Sequence, residues 1–488
     1  MQASSPGTFK GVTIAFAALL AAAAFVVAGC SAVNAVINPT NPTNPTQTTV
    51  AVPVSITDAP SDQVVAASLT LDSVVLTNAT GKTTSILTSP LTFEATHLDA
   101  VQEPLFTPVI PEDTYTSVAL TYSNAQVAYI DPTTKKLVLA TATLANTGQT
   151  IVFPTPLVID KTMTSLLIDY LVANSVSISG TTVTVTPAFH VAPAPIPAQP
   201  TNGTNGLQCG IKGMVTALGT NTFTLTNAQG SSLVIAVNAN TQYQGLSGFS
   251  ALKVDALVEV DVVTQSDGSL LAVRVEEQAP PATASELLVG PVTAVTGSPA
   301  TSFTMLVRQQ IGGPTSVAST AITVSITGST QFLLPGRFSN VTAADPFAAN
   351  FSASTLFAGQ VVGVATTGVS NGAATAAIVA LSPQTVGGTI TSITLPMNNV
   401  VPNWVKTVIA LNSGSWLATL TGQSSVTVYT LIGCPTNENC FLQTINNMPP
   451  AVGDTIRFNG FLFENSGSLV MVALIQADGP GTPIAPPQ

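Results

Sequence analysis

The sequence predicts an all-β protein, and three of its features point to this fold class. Only 7% of the 488 residues are charged, against about 25% in an ordinary soluble domain, and chains rich in threonine and valine favour strands. Apolar and polar residues alternate in short segments such as 67–76, as strands with one buried face do. Turn residues, as in 78–82, separate these segments. The chain is too long for one hydrophobic core, so we expect several domains.

The N-terminal residues have the pattern of an export signal. Lys10 precedes an uncharged apolar run that continues to Val27, which is typical of a secretory signal peptide. The sequence Val27-Ala28-Gly29-Cys30 resembles a bacterial lipobox, in which the cysteine receives lipid and the signal is cut just before it. We therefore expect residues 1–29 to be a lipoprotein signal peptide and Cys30 to tether the chain to a membrane. The alternative is an uncleaved membrane helix over 11–29.

The residue after the cysteine bears on the location of the protein. An aspartate at this position would resemble the signal that retains lipoproteins in the inner membrane of Gram-negative bacteria, whereas this chain has Ser31. We therefore expect an exported, lipid-anchored protein of the outer membrane or the cell surface.

Proline-rich segments divide the remaining chain. Residues 30–50 contain three Asn-Pro-Thr repeats at 38–46, which favours an extended polyproline II stalk next to the lipid. Residues 192–206 form a second proline-rich linker, and the Pro/Gly-rich tail 479–488 is expected to be disordered.

Residues 51–191 are expected to form a β-sandwich, because several short alternating segments are separated by turns. Four sequence segments of this unit resemble the bacterial lipoprotein family called domain of unknown function 4382: Ser55–Pro60, Ile110–Val118, Leu166–Tyr170 and Val185–Phe189. The resemblance implies a transthyretin-like or immunoglobulin-like sandwich and no established activity. The chain departs from the family at Glu112-Asp113, where the family has Ala-Gly.

Three repeats follow, each of which opens with glycine and a short strand, at Gly213, Gly290 and Gly388. We place them at 207–278, 286–383 and 386–478. In the first repeat, valines alternate with Glu259 and Asp261, which predicts one buried and one solvated face. About five such strands per repeat suit a small Greek-key barrel of the OB type.

The order of motifs in the repeats resembles a second family, domain of unknown function 5666, which the first repeat matches best. The second and third repeats carry insertions near 335–355, 396–406 and 432–450. Because each repeat restarts with the same motif and linkers separate the units, we expect four independent β-domains.

The chain has four cysteines. Cys434 and Cys440 flank a five-residue turn-rich loop, and in an oxidising envelope they are expected to form a disulfide. Metal binding there is the alternative, although no histidine lies nearby. Cys209 is left over and is expected to be a small buried residue at the start of a strand; a partner in another chain is the alternative.

Few residues could carry catalytic chemistry. The two histidines, His97 and His190, lie in no nucleophile motif, and we expect His190 to be partly buried at a strand end. Asp58 and Asp62 flank a proline turn, where capping of the turn is expected and a calcium site is the alternative. No zinc spacing or phosphate-binding loop occurs. The sequence therefore predicts no enzyme, no cofactor and no metal.

Two classes of function remain. The first is a structural, adhesive or interaction-mediating envelope protein, bound to the membrane through Cys30 and to an envelope protein or a glycan. The second is a carbohydrate-binding surface module, for which Trp404 and Trp416 are the expected exposed stacking pair. A net charge of −11 argues against nucleic acid, which requires clustered basic residues.

Overall fold

The structure is a computed structural model that describes residues 48–59, 61–98, 101–160, 164–196, 206–339, 346–395, 403–412, 414–432, 443–444 and 450–478. These residues lie mostly in β-strands, which confirms the all-β fold class. Residues 47–488 form one compact unit, within which all contacts reported below lie. None of the helices in the described ranges is long and apolar enough to cross a membrane.

The N-terminal unit contains fifteen strands and two short helical turns. They are β1 (Thr49–Ala51), β2 (Val54–Asp58), β3 (Val64–Asn78), β4 (Thr83–Ser85), β5 (Leu91–Glu94), η1 (Thr96–Leu98), β6 (Glu103–Phe106), β7 (Val109–Pro111), β8 (Asp113–Ile130), β9 (Leu137–Thr141), β10 (Thr143–Leu144), β11 (Gly148–Ile159), β12 (Thr164–Tyr170), α1 (Val172–Ser175), β13 (Val176–Ser179), β14 (Thr182–Val185) and β15 (Phe189–Pro195).

Two sheets of this unit share one hydrophobic core. The larger has the order β11-β8-β3-β4, with β5 on β3 and β9 on β8, and the smaller has the order β15-β12-β2-β6. Leu69 and Leu120 of the larger sheet and Ile168 of the smaller sheet belong to the same buried cluster. The rings of Tyr170 and Phe189 stack there at 4.9 Å between centroids. The role of both aromatic residues in the structure is therefore to fill the core.

The first repeat is a closed barrel made of β16 (Leu207–Leu218), β17 (Thr222–Asn227), β18 (Ser232–Ala236), β19 (Gln242–Gln244), the 3₁₀ turn η2 (Phe249–Ala251), β20 (Leu257–Thr264) and β21 (Leu270–Ala279). Its first strand, β16, pairs with β17 and β20. The barrel closes where β18 pairs in parallel with β21. Its core contains residues of this repeat alone, among them Phe223, Leu225 and Val260.

The second and third repeats have the same strand connections. The second contains β22 (Glu286–Gly297), β23 (Ala300–Leu306), β24 (Gln309–Gly312), β25 (Ala321–Ser325), β26 (Gln331–Leu333), α2 (Gly336–Ser339), β27 (Val361–Thr366), β28 (Val369–Ser370), β29 (Ala373–Thr375) and β30 (Ile378–Leu381). The third contains β31 (Gln384–Thr394), β32 (Asn403–Leu411), α3 (Trp416–Thr421), β33 (Ser425–Ile432), β34 (Gln443–Thr444), β35 (Thr455–Asn465) and β36 (Ser468–Asp478). The closing parallel pairs are β25–β29 and β33–β36.

The insertion of the second repeat packs against the third repeat. Phe338 lies 6.1 Å from Phe461 and 5.7 Å from Phe463 between ring centroids. Phe347, from the same insertion, lies 5.4 Å from Phe463. One hydrophobic cluster therefore spans both repeats, and the insertion that makes the second repeat differ from the first joins it to its neighbour.

Candidate functional site

A buried histidine between two carboxylates lies at the edge of the N-terminal unit. The turn η1 follows β5, so that His97 comes three residues after Glu94 at the end of that strand. The Nδ1 atom of His97 lies 3.1 Å from Glu94 Oε2. The Nε2 atom lies 3.2 Å from Glu103 Oε1, as an ion pair without the alignment of a hydrogen bond. Both ring nitrogens therefore face carboxylates of the same chain.

Electrostatics keep this histidine charged. Burial alone lowers the pKa of His97, but the negative charge of Glu103 and the contacts with Glu103 and Glu94 outweigh it and raise the pKa to about 9. Burial likewise raises the pKa of both glutamates, and their interactions with His97 reverse this effect and lower it below the usual value. The three side chains therefore form a buried imidazolium with two carboxylates.

The cluster reaches into the repeats. Glu103 Oε2 accepts a hydrogen bond of 2.7 Å from Gln229 of the first repeat, and Glu103 Oε1 one of 3.4 Å from Gln309 of the second repeat. Arg308 donates a hydrogen bond of 2.6 Å from Nε to the carbonyl oxygen of Val65. These contacts join the N-terminal unit to two repeats through charged and polar groups.

A second charged cluster covers one face of the first repeat. Arg274 donates to Asp261 through Nε at 2.8 Å, to Glu259 through Nη2 at 2.8 Å, and to Glu276 through Nη1. Lys212 Nζ lies 2.9 Å from the other oxygen of Glu259. All five side chains are buried.

The alternation in the sequence predicts that this charged face of the first repeat is solvated, and this prediction is wrong. The alternation itself is confirmed, because Val258 and Val260 lie in the barrel core while Glu259 and Asp261 point away from it. The outward face is covered because β16 contacts β6 of the N-terminal unit and β24 of the second repeat. Glu276 also accepts a hydrogen bond of 2.9 Å from the backbone of Gly336 in the second repeat.

A cavity of about 70 Å³ lies between the two clusters. The N-terminal unit and all three repeats contribute to its lining, which includes His97, Glu103, Lys212, Arg308, Gln384 and Asn459. Its basic groups already face carboxylates or a carbonyl oxygen of the same chain. The cavity is therefore part of a polar interface that connects the units. In the ranges that the structure describes, no group of three or more His, Cys, Asp or Glu side chains is placed to hold a metal ion.

The two aspartates of the proline turn lie in different contacts. Asp62 Oδ2 lies 3.0 Å from Arg457 Nη2 of the third repeat and accepts a hydrogen bond from Asn412. Asp58 is buried, and its Oδ1 accepts a hydrogen bond of 3.3 Å from the backbone of Val172, the first residue of α1. Asp62 therefore joins two units, whereas the sequence analysis expects both aspartates to cap their own turn.

The two tryptophans differ from the exposed pair that the sequence analysis expects. Trp416 is 8% exposed and lies in α3 under the guanidinium of Arg308, which is 5.8 Å from the ring centroid. Trp404 is half-buried on β32 and packs against the cluster that spans the second and third repeats. An exposed stacking surface made of both rings is therefore not present.

The remaining expected residues are placed as follows. His190 is exposed on β15 rather than partly buried. Cys209 is buried as expected, but it is part of a disulfide bond whose other cysteine lies outside the described residues. Cys30 and the pair Cys434 and Cys440 also lie outside the described residues, so the lipid and the disulfide predicted for them stay predictions.

The residues of the charged clusters are not recognisable as a site from the sequence. The charged positions on β20 and β21 were visible in the alternation, but nothing in the sequence shows which surface lies opposite them. Asp169 is another buried carboxylate that the sequence does not reveal. It is 1% exposed, neither carboxylate oxygen forms an aligned hydrogen bond, and burial raises its pKa to about 7.

Comparison with known proteins gives matches of very different weight. No curated protein matches the chain. A solved structure titled "drosophila Unr CSD456" is similar to it with a TM-score of 0.13 and 10% sequence identity, over 54% of this chain and 94% of that chain; a TM-score this low carries no argument. Residues 212–276 match the model of the family described as a domain of unknown function, DUF5666. The first repeat is therefore similar to DUF5666, as its motifs suggest.

Proposed function

We propose that this chain is a non-catalytic, lipid-anchored protein of the bacterial cell envelope, with a structural, adhesive or interaction-mediating role. The motif that ends at Cys30 supports anchoring and export. The resemblance of residues 51–191 to the lipoprotein family DUF4382 supports the same location. Ser31 favours the outer membrane or the cell surface.

The non-catalytic role is supported above all by how the chain uses its few charged side chains. The chain has only 12 lysine and arginine residues. In the part of the chain that the structure describes, four of them are buried: Lys212, Arg274, Arg308 and Arg457. Burying a charge is costly unless it is paired, and these groups face carboxylates or carbonyl oxygens of the same chain. The charges of these four side chains therefore stabilise one arrangement of the units and are not directed at a substrate.

The test of anchoring is metabolic labelling with an alkyne fatty acid in a Gram-negative host that expresses the full chain. The wild type should carry the label and sediment with the outer membrane. The variant Cys30→Ser should lose the label and accumulate as a longer, unprocessed precursor, because the thioether forms on the cysteine sulfur.

The control is Ser31→Ala, which leaves the cysteine intact and should be labelled like the wild type. Labelling of Cys30→Ser at the wild-type level would contradict the proposed anchor.

A further inference from the structure

The strands β32 and β33 present a face of the third repeat that differs from the same face of the other repeats. Ile409 pairs with Val426 and points into the barrel core. Because side chains alternate along a strand, the pairs Lys406–Tyr429 and Trp404–Leu431 point away from that core. Leu431 is nevertheless buried, so the accessible part of this face lies around Lys406.

The outward face holds two aromatic rings beside one amine. Lys406 lies directly opposite Tyr429, and Trp404 is two residues from Lys406 on the same side of β32. Tyr429 is therefore also the diagonal neighbour of Trp404, at a separation of roughly 7–8 Å between Cα atoms in such a sheet. Lys406 is exposed, while both rings are half-buried.

Both rings are held in place by packing. Trp404 packs against the cluster shared by the second and third repeats, and Tyr429 lies 5.9 Å from the Phe347 ring of the insertion. The amine of Lys406, by contrast, takes part in no hydrogen bond or ion pair within the described residues. A fixed aromatic surface with a free amine can stack on a flat apolar group and pair with a negative charge at the same time.

The other two repeats serve as an internal comparison. On the first repeat, the outward pairs of β17 and β18 are Thr222–Ala236, Thr224–Val234 and Thr226–Ser232. On the second repeat, the outward pairs of β23 and β25 are Ser302–Ser325, Thr304–Thr323 and Leu306–Ala321. The equivalent faces thus contain small or aliphatic residues, so the barrel itself does not require aromatic or basic residues here. Packing against the second repeat accounts for the buried part of the Trp404 and Tyr429 rings, but it does not account for the exposed Lys406 between them.

We propose that Trp404, Lys406 and Tyr429 form a binding site for an acidic polysaccharide. The faces of sugar rings carry C–H groups that pack on aromatic rings, and a carboxylate of a uronic acid is the natural partner of Lys406. A single lysine in a chain of net charge −11 does not supply the series of phosphate contacts that nucleic acid requires. The proposal goes beyond the proposed envelope role and does not depend on the lipid anchor.

The experiment is affinity electrophoresis of the chain from residue 31 onwards in native gels that contain polygalacturonate, dextran, single-stranded oligothymidine or no added ligand. Polygalacturonate should retard the wild type, and retardation should decrease as salt is added, because the charged contact is screened. Trp404→Ala should weaken the apparent affinity by about tenfold or more. Lys406→Gln, at an exposed position that does not threaten folding, should weaken it several-fold.

The matched control is Val234→Ala, on the equivalent face of the first repeat, which should bind like the wild type and melt at the same temperature. Equal retardation of the wild type and Lys406→Gln by polygalacturonate would overturn the proposal, and so would the absence of retardation of the wild type. Stronger retardation by dextran would refute the acidic ligand. Retardation by single-stranded oligothymidine that exceeds that by polygalacturonate would assign the face to nucleic acid instead.

Discussion

At the residue scale, each buried ion pair has an identifiable structural role, because the chain has few charged residues. Glu94 illustrates this, because it binds more than His97. Its Oε1 accepts hydrogen bonds from the backbone of Ala67 at 3.0 Å and of Thr96 at 2.9 Å. The carboxylate therefore fixes β3, β5 and η1 together, and the histidine neutralises a charge that the fold requires at this position.

The charged state of His97 predicts how stability depends on pH. Its pKa in the folded protein is about 9, above the value of about 6.5 expected in the unfolded chain. A raised pKa of this kind stabilises the folded state fully below pH 6.5, and the stabilisation is lost as the pH rises to about 9. Urea unfolding should show a decrease in the free energy of unfolding of about 3 kcal/mol across this window.

The variant His97→Gln should be less stable at pH 7 and should lack this decrease, whereas His190→Gln, at the exposed histidine, should keep it. The raised pKa of Asp169, about 7, removes stability only as the pH rises from about 4 to about 7. The slope between pH 7.5 and 9 therefore reports on His97. The same slope in His97→Gln as in the wild type would contradict the assignment.

At the element scale, periodicity predicted which residues face the barrel cores but not what covers the outer faces. Val258 and Val260 lie in the core as the alternation indicates, and the repeated glycine-strand opening recurs as β16, β22 and β31. The burial of Glu259 and Asp261 could not be predicted, because it depends on contacts with strands far away in the sequence. The site on β32 was found only in part, since Trp404 was singled out while Tyr429 and Lys406 were not.

The disulfide of Cys209 revises an expectation at the same scale. The chain has four cysteines, so a bond from Cys209 within the chain uses Cys30, Cys434 or Cys440. If Cys30 carries lipid, the partner is Cys434 or Cys440, and the predicted bond between those two cannot form in the same molecule.

Peptide mapping of the mature protein under non-reducing conditions tests this directly. We expect a linked peptide that contains Cys209 together with Cys434 or Cys440, which disappears after reduction. The variant Cys209→Ala should lose this peptide and leave its former partner as a thiol that can be alkylated. A Cys434–Cys440 peptide together with an alkylated Cys209 would support the original expectation instead.

At the scale of the whole molecule, the units differ in how far each has its own core. The buried cluster of the first repeat contains no residue from outside that repeat. The cluster of the second repeat includes Phe461, Phe463 and Val472 from the third. A further buried cluster joins Leu257 of the first repeat to Leu287 and Ile311 of the second. The first repeat therefore has a core of its own as well as apolar contacts with its neighbour, whereas the second repeat shares its core with the third. Independent folding of the four domains stays a prediction.

This difference predicts how fragments behave. Residues 207–278 contain both their hydrophobic cluster and all five members of the Arg274 cluster, so this fragment should fold alone, with a strand-rich circular dichroism spectrum and a cooperative melt. Residues 286–383 alone should melt without cooperativity, because Phe338 loses its contacts with Phe461 and Phe463. Residues 286–478, which restore these contacts, should melt cooperatively.

The variant Phe463→Ala tests the shared cluster within the longer fragment. Phe463 is 2% exposed, and truncation of a buried phenylalanine costs about 3–5 kcal/mol, so 286–478 should melt at a clearly lower temperature. Val452→Ala, at an exposed apolar position of the same repeat, is the control and should change the melting temperature little. If 286–383 melted cooperatively at the temperature of 286–478, the two repeats would be independent, and the insertion would pack on the third repeat without stabilising either.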